Sequence, residues 1–81
     1  MSFDLEGQRF VITGAGRGIG KAIGQRFAEL GARVSAWDLD LAEIASDPAF
    51  EHCVQVDVTD EASVAKGIEA SLGALGGLEG L

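Results

Sequence analysis

The stretch Thr13-Gly14-Ala15-Gly16-Arg17-Gly18-Ile19-Gly20 decides how this chain is read. Directly before it, residues 9 to 13 read Arg-Phe-Val-Ile-Thr, a β-branched and aromatic run that suits a buried parallel strand. Directly after it the apolar period changes. Ile19, Ile23, Phe27 and Leu30 fall at steps of 4, 4 and 3, one face of a helix, and Gly31 follows where a C-terminal glycine belongs. A glycine-rich turn between a strand and a helix is the setting in which such a turn holds phosphate. The helix start offers unpaired N–H groups and a partial positive charge, which together bind a pyrophosphate. Glycine is needed for a tight strand exit, for room at the backbone, and for close helix–strand packing. Gly14, Gly18 and Gly20 take those roles in that order.

Two better-known phosphate motifs are excluded. The strict G-x-G-x-x-G fails, because Gly14 and Gly16 are followed by Ile19, and Gly16 and Gly18 by Lys21. A P-loop ending in Gly20-Lys21 needs glycine at 15 and Ser or Thr at 22, and both positions are alanine. The remaining pattern is T-G-x-x-x-G-x-G, with Lys21 read as helix surface.

Working outward, Ala32 to Trp37 reads as a second strand, closed by Asp38-Leu39-Asp40. Asp40 is placed to cap a short helix over Leu41 to Ser46, which Pro48 ends. His52 to Val56 reads as a third strand. Thr59 is the expected N-cap of the next helix, with Asp60 and Glu61 in its first turn. Val64, Ile68 and Leu72 give that helix its apolar face, the chain turns after Gly73, and Leu78 to Leu81 is placed to begin a fourth strand. The alternation β-α-β-α-β-α implies right-handed crossovers and a parallel α/β sheet in one partial domain over residues 1–81. Trp37 is expected to pack against a helix, with a place near the adenosine pocket as the second reading. His52 and Cys53 read as strand residues without metal or nucleophile roles.

Two acids stand at strand ends. Asp38 lies 18 residues after Gly20, close to the spacing of about 20 for a carboxylate that accepts bonds from an adenosine ribose. It repels the extra phosphate of NADP and so favours NAD. Arg17 pulls the other way, since a cation beside the turn attracts a 2′-phosphate, although it equally suits the pyrophosphate. Repulsion at contact distance outweighs a flexible arginine, which leaves NAD as the expected cofactor. Asp57 ends the third strand and is a candidate for the adenine amino group, whereas Asp60 reads as a cap.

Composition fits this picture. The chain is 47% hydrophobic and 23% charged, ordinary for a folded domain. Twelve of its 81 residues are glycine, about twice the usual share of roughly 7%. A net charge of −7 without any basic run argues against nucleic acid as a partner. No apolar run approaches the 18 or so residues of a membrane span, and the N-terminus has no signal-peptide pattern. With a single cysteine, these features lead to an expected cytoplasmic location.

Over essentially its whole length the chain resembles the N-terminal portion of the classical short-chain dehydrogenases/reductases. The likeness rests on Thr13 to Gly20, on Asp38 after the second strand, and on Asp57-Val58-Thr59-Asp60 after the third. It implies the first half of a Rossmann-type doubly wound sheet in an NAD- or NADP-dependent oxidoreductase. By the same likeness Gly14, Gly16, Arg17, Gly18 and Ile19 contact the cofactor, Asp38 its adenosine ribose, and Asp57 with the Val58 backbone its adenine. The family's Asn-Asn-Ala-Gly turn, its serine and its Tyr-x-x-x-Lys pair have no counterpart here, and the chain contains no tyrosine. Cofactor binding is therefore expected of these residues and catalysis is not. A nucleotide-binding or regulatory module, and a structural fragment without activity, stay open as alternatives. In the order 3-2-1-4-5-6 the first strand is central, so three strands alone leave residues 9–13 as an unpaired apolar edge and imply self-association through it.

Overall fold

The computed structural model describes residues 5–80. Its elements in chain order are β1 (Arg9–Thr13), α1 (Gly18–Glu29), β2 (Arg33–Asp38), α2 (Ala42–Ala45), β3 (His52–Gln55) and α3 (Glu61–Leu75). The three strands are parallel in the order β1-β2-β3, with Thr13 opposite Trp37 and Trp37 opposite Val54. On the other side of β1 a parallel bridge joins Phe10 to Gly80. The Val11 N–H donates to the Gly80 carbonyl at 3.1 Å, and the Glu79 N–H to the Arg9 carbonyl at 2.7 Å. Residues 78–80 thus start the expected fourth lane, while Leu81 lies outside the described residues. The β1 edge is accordingly paired at Arg9 and Val11, and only its carboxyl end is open. That corrects the fully unpaired edge expected from the sequence.

Strand β2 is the middle of the sheet, and Val34 to Trp37 are all buried. Its alternation feeds two cores. Val34 and Ala36 join Ala15, Ile44 and Phe50 beneath α1 and α2, while Trp37 joins Val11 and Val56 beneath α3. Both faces covered is the burial pattern of a parallel α/β sheet.

The helices meet the sheet with small residues more than the apolar periodicity implies. In α1 the buried residue is Gly24, whereas Ile23 is exposed and Ile19 is 79% exposed. Ile23 lies toward the β1 edge, where it and Phe27 share a groove with Phe10, Ile12 and Gly80. In α3 the buried positions are Gly67, Ser71 and Leu75, and Leu72 faces outward. Trp37 sets this rotation. Its indole occupies the space above Gly67, where a side chain would stand 2.9 Å from Cζ2, and its Nε1–H donates to Ser71 Oγ at 3.0 Å. Ser71 Oγ lies 2.8 Å from Ser35 Oγ, which lies 2.9 Å from His52 Nδ1, so the polar groups of this interface satisfy one another. Cys53 is half-buried and its Sγ donates to the Ile44 carbonyl; burial pushes the thiol up.

The termini of α3 also differ from expectation. Asp60, not Thr59, is the N-cap, its carboxylate accepting the Ala62 N–H at 3.0 Å. Gly73 continues the helix, and Gly76 at φ 81° ends it by donating its N–H to the Leu72 carbonyl. Helix α2 is shorter than the expected 41–46: its N-cap is Leu41, without a side-chain cap bond, and Asp40 accepts the Ala42 N–H from one residue further back.

Candidate functional site

The turn leaving β1 is folded onto the end of β2. Ala15 is fully buried, and its N–H donates to the Trp37 carbonyl at 3.0 Å. Gly16 is buried too, and its N–H donates to Asp38 Oδ2 at 2.8 Å. Gly14 and Gly18 adopt φ values of 63° and 62°, which L side chains rarely tolerate. Gly20 presses the first turn of α1 on the strand exit: a Cβ there would stand 2.2 Å from the Gly14 carbonyl oxygen. These placements match the tight exit, the open backbone and the close packing that the glycine spacing implies.

The turn leads into a helix start that has no internal partner. Arg17 is the N-cap residue in an extended conformation, makes no side-chain cap bond, and no acidic residue occupies the first turn. The first backbone bond runs from the Lys21 N–H to the Arg17 carbonyl, so the N–H groups of Gly18, Ile19 and Gly20 precede the ladder. Arg17, Gly18 and Ile19 are exposed. Open N–H groups at the positive end of a twelve-residue helix make a site for an anion.

Beside that helix start stands the Asp38 carboxylate. Oδ1 accepts the Asp40 N–H at 3.0 Å and Oδ2 accepts the Gly16 N–H. The Asp40 amide above all, then the Gly16 amide and the Arg17 charge, hold this carboxyl below its ordinary value against partial burial. Asp38 is therefore ionised at neutral pH with lone pairs to spare for a further donor. Asp57 is differently engaged. Its Oδ1 accepts both the hydroxyl of Thr59 at 2.6 Å and the Thr59 N–H at 2.9 Å, and the hydroxyl chiefly lowers its pKa.

Beside Asp38 lies a cleft of about 150 Å³ lined by Gly14, Trp37, Asp38, Leu39, Val56 and Val58. Trp37 forms part of its wall at 1% exposure, while Leu39 and Val58 stand 63% and 58% exposed at its sides. Asp57 is not among the lining residues. Sequence reasoning singles out Asp38 and Val58 but misses Leu39, whose signal is an apolar side chain set between two acids of an exposed turn. A larger cavity of about 750 Å³ sits at the amino ends of β2 and β3. It is shallow, and its polar residues are already paired, Gln25 with Asp47, Arg33 with Glu51 and Glu29 with Arg26. The small cleft is the better candidate, because it lies at strand carboxyl ends and its wall carries the ionised Asp38, which the Gly16 amide ties to the turn that leads into the open helix start. That arrangement fits an adenosine diphosphate: donors for the diphosphate, an acceptor for a ribose, and apolar walls for a base.

Comparison with known proteins agrees. The short chain dehydrogenase family matches residues 8–81. The chain is 39% identical over 85 residues to 2,5-dichloro-2,5-cyclohexadiene-1,4-diol dehydrogenase LinX of Sphingobium indicum, covering 96% of this chain and 34% of that one. It is 36% identical over 73 residues to a 2-dehydro-3-deoxy-L-rhamnonate dehydrogenase (NAD(+)) of Sphingomonas, covering 86% of this chain and 29% of the relative. Among solved structures, the 3-ketoacyl-(acyl-carrier-protein) reductase of Brucella melitensis complexed with NADH superimposes with a TM-score of 0.83 at 36% identity. That match covers 90% of this chain and 32% of the reductase. The chain thus spans about a third of the length of the relatives it matches. Matched over residues 8–81 in sequence and over nine-tenths of its length in fold, this chain belongs to the short-chain dehydrogenase family, whose Rossmann-type sheet its three strands begin.

Proposed function

We propose that these residues hold the adenosine diphosphate half of a nicotinamide dinucleotide, with NAD preferred to NADP, as the cofactor-binding part of an oxidoreductase. The observation that carries this reading is the uncapped start of α1 lying beside an ionised Asp38 that is bonded to the turn itself. When bound, the cofactor supplies the hydride carrier.

The protein's own groups then bind and orient. The amides of Gly18, Ile19 and Gly20 face the diphosphate, and Gly14 and Gly16 let the backbone come close. Arg17 adds a mobile positive charge. Asp38 accepts from the ribose hydroxyls and opposes a 2′-phosphate. Leu39 and the Val58 segment flank the adenine, and Asp57, through its second oxygen, is the candidate acceptor for the adenine amino group. Two similar proteins are named for NAD and a third was solved with NADH bound, which favours the same cofactor here. No catalytic group is assigned, because the chain has no tyrosine to supply the Tyr-x-x-x-Lys pair that the family resemblance implies. Self-association is proposed only at the carboxyl end of the β1 edge, beside Ile12 and Ile23, and light scattering against concentration tests it.

The test of cofactor binding is titration with NAD, ADP-ribose and NADP followed by the fluorescence of Trp37, the chain's one tryptophan. Saturable binding of NAD and ADP-ribose is expected. Asp38→Ala should weaken both about 10- to 100-fold, the loss of a charge-assisted pair of hydrogen bonds. Absence of saturable binding by any adenine nucleotide would end the reading.

A further inference from the structure

Resting on that reading, we infer that Glu43 is a second determinant of cofactor choice, acting by repulsion on a 2′-phosphate without touching the ribose. The point a Cβ on Gly16 would occupy lies 2.7 Å from Asp38 Oδ2 and equally 2.7 Å from Glu43 Cβ. Two acids from different elements, the end of β2 and the first turn of α2, therefore converge on one buried glycine of the phosphate turn. Asp38 is held there by the Gly16 amide. Glu43 is held by α2, whose Ile44 is fully buried in the core next to it, so its backbone cannot swing clear. Glu43 itself is exposed, and its carboxylate oxygens stand three bonds beyond that fixed Cβ.

This placement bears on the one conflict in the site. Arg17 is a cation beside the turn, and among the described residues it is in no ion pair. Against Asp38 alone it offsets part of the carboxylate's repulsion of an incoming 2′-phosphate. With Glu43 on the same side, two negative charges face one mobile positive charge, and the balance turns further against NADP. The diphosphate, held by amides at the other end of the turn, is farther from Glu43 and less affected. Because Glu43 is exposed, its influence is screened and has to weaken as salt approaches the Debye regime of about 8 Å at 0.15 M.

A nearer structural role for Glu43 is to offset the dipole of α2, and the experiment separates the two. NAD and NADP are titrated against the chain, Glu43→Gln and Glu69→Gln, the last removing an equal charge from the exposed side of α3. At low salt Glu43→Gln should improve NADP binding relative to NAD by roughly three- to tenfold, and the gain should shrink by about 0.3 M salt. Glu69→Gln should leave the ratio at the parent value. If Glu43→Gln weakens both nucleotides equally, or leaves their ratio unmoved while NAD still binds, the inference is overturned and the cofactor site stands. If the parent chain binds neither nucleotide, the cofactor reading itself has failed.

Discussion

Helices α1 and α3 both begin just beyond the carboxyl end of a parallel strand, yet one closes its own start and the other leaves it open. At α3, Asp60 accepts the Ala62 N–H and Glu61 adds a negative charge to the first turn. At α1 the corresponding position is Arg17, with extended backbone, no cap bond and no acid in the first turn. A capped start gains about 1 kcal/mol of helix stability and loses its capacity for an external anion. The chain takes the stability at α3 and forgoes it at α1. In a parallel α/β sheet both ends face the ligand side, so location does not tell the two apart. The missing cap does.

The largest expected effect comes from closing the space that lets α1 start so near β1. Gly20→Ala should destabilise the chain by about 3 kcal/mol, since its Cβ would meet the Gly14 carbonyl at 2.2 Å and backbone has to move. The same substitution at Gly73, in α3 with nothing within 4 Å, should instead stabilise by about 0.5–1 kcal/mol through helix propensity. Urea unfolding of the two variants measures the contrast. Equal midpoints would show that the start of α1 is no tighter than the middle of α3.

Arg17→Asp inverts the comparison itself. Arg17 already has the extended φ of −161° and ψ of 166° suited to a capping residue, so aspartate there should cap α1 and raise stability by about 0.5–1 kcal/mol. The same carboxylate would occupy the donors that ADP-ribose needs, and its binding should fall by more than about tenfold. Stability and affinity moving in opposite directions is the signature. A variant that gains stability and keeps its affinity would place the diphosphate elsewhere. Asp60→Ala is the converse change and should cost about 1 kcal/mol of stability, with nucleotide affinity unmoved.

The fold is largely legible because a strand, a glycine turn and a helix each announce themselves locally. Strand β1 and the β-α alternation follow from residue types and period alone. Side-chain facing is less legible. Periodicity promises that Ile19, Ile23 and Leu72 point inward, but glycines and Ser71 take those places, since α1 and α3 approach the sheet closely and Trp37 demands room. A hydrophobic-moment argument weighs apolar residues and assigns glycine no preference, so it misplaces a helix that packs by its smallest residues. The Thr59 cap fails for a related reason. Asp57 captures the Thr59 hydroxyl and amide in a turn of its own, which leaves the next residue to cap. At the site, Asp38 is readable from spacing, whereas the Gly16–Asp38 bond and the approach of Glu43 depend on how α2 folds over the turn.

That bond gives the smallest effect. Asp38 has its pKa lowered in the folded chain from an ordinary 3.8, chiefly by the Asp40 amide and then by that of Gly16. A depressed carboxyl contributes stability that is fully present above the unfolded value and is lost as pH falls through the folded one. Wild type and Asp38→Asn should therefore differ most in urea midpoint above pH 3.8, and the difference should close as the solution is acidified below it. The group is near the surface, so the difference is a fraction of what a buried carboxylate would give. Carbon-13 NMR of the side-chain carboxyls reports the same link directly. An Asp38 that titrates at or above its ordinary value would mean that the turn amide does not hold it. The open helix start would then lack the fixed acid beside it, and nothing in its surroundings would distinguish a ribose from solvent.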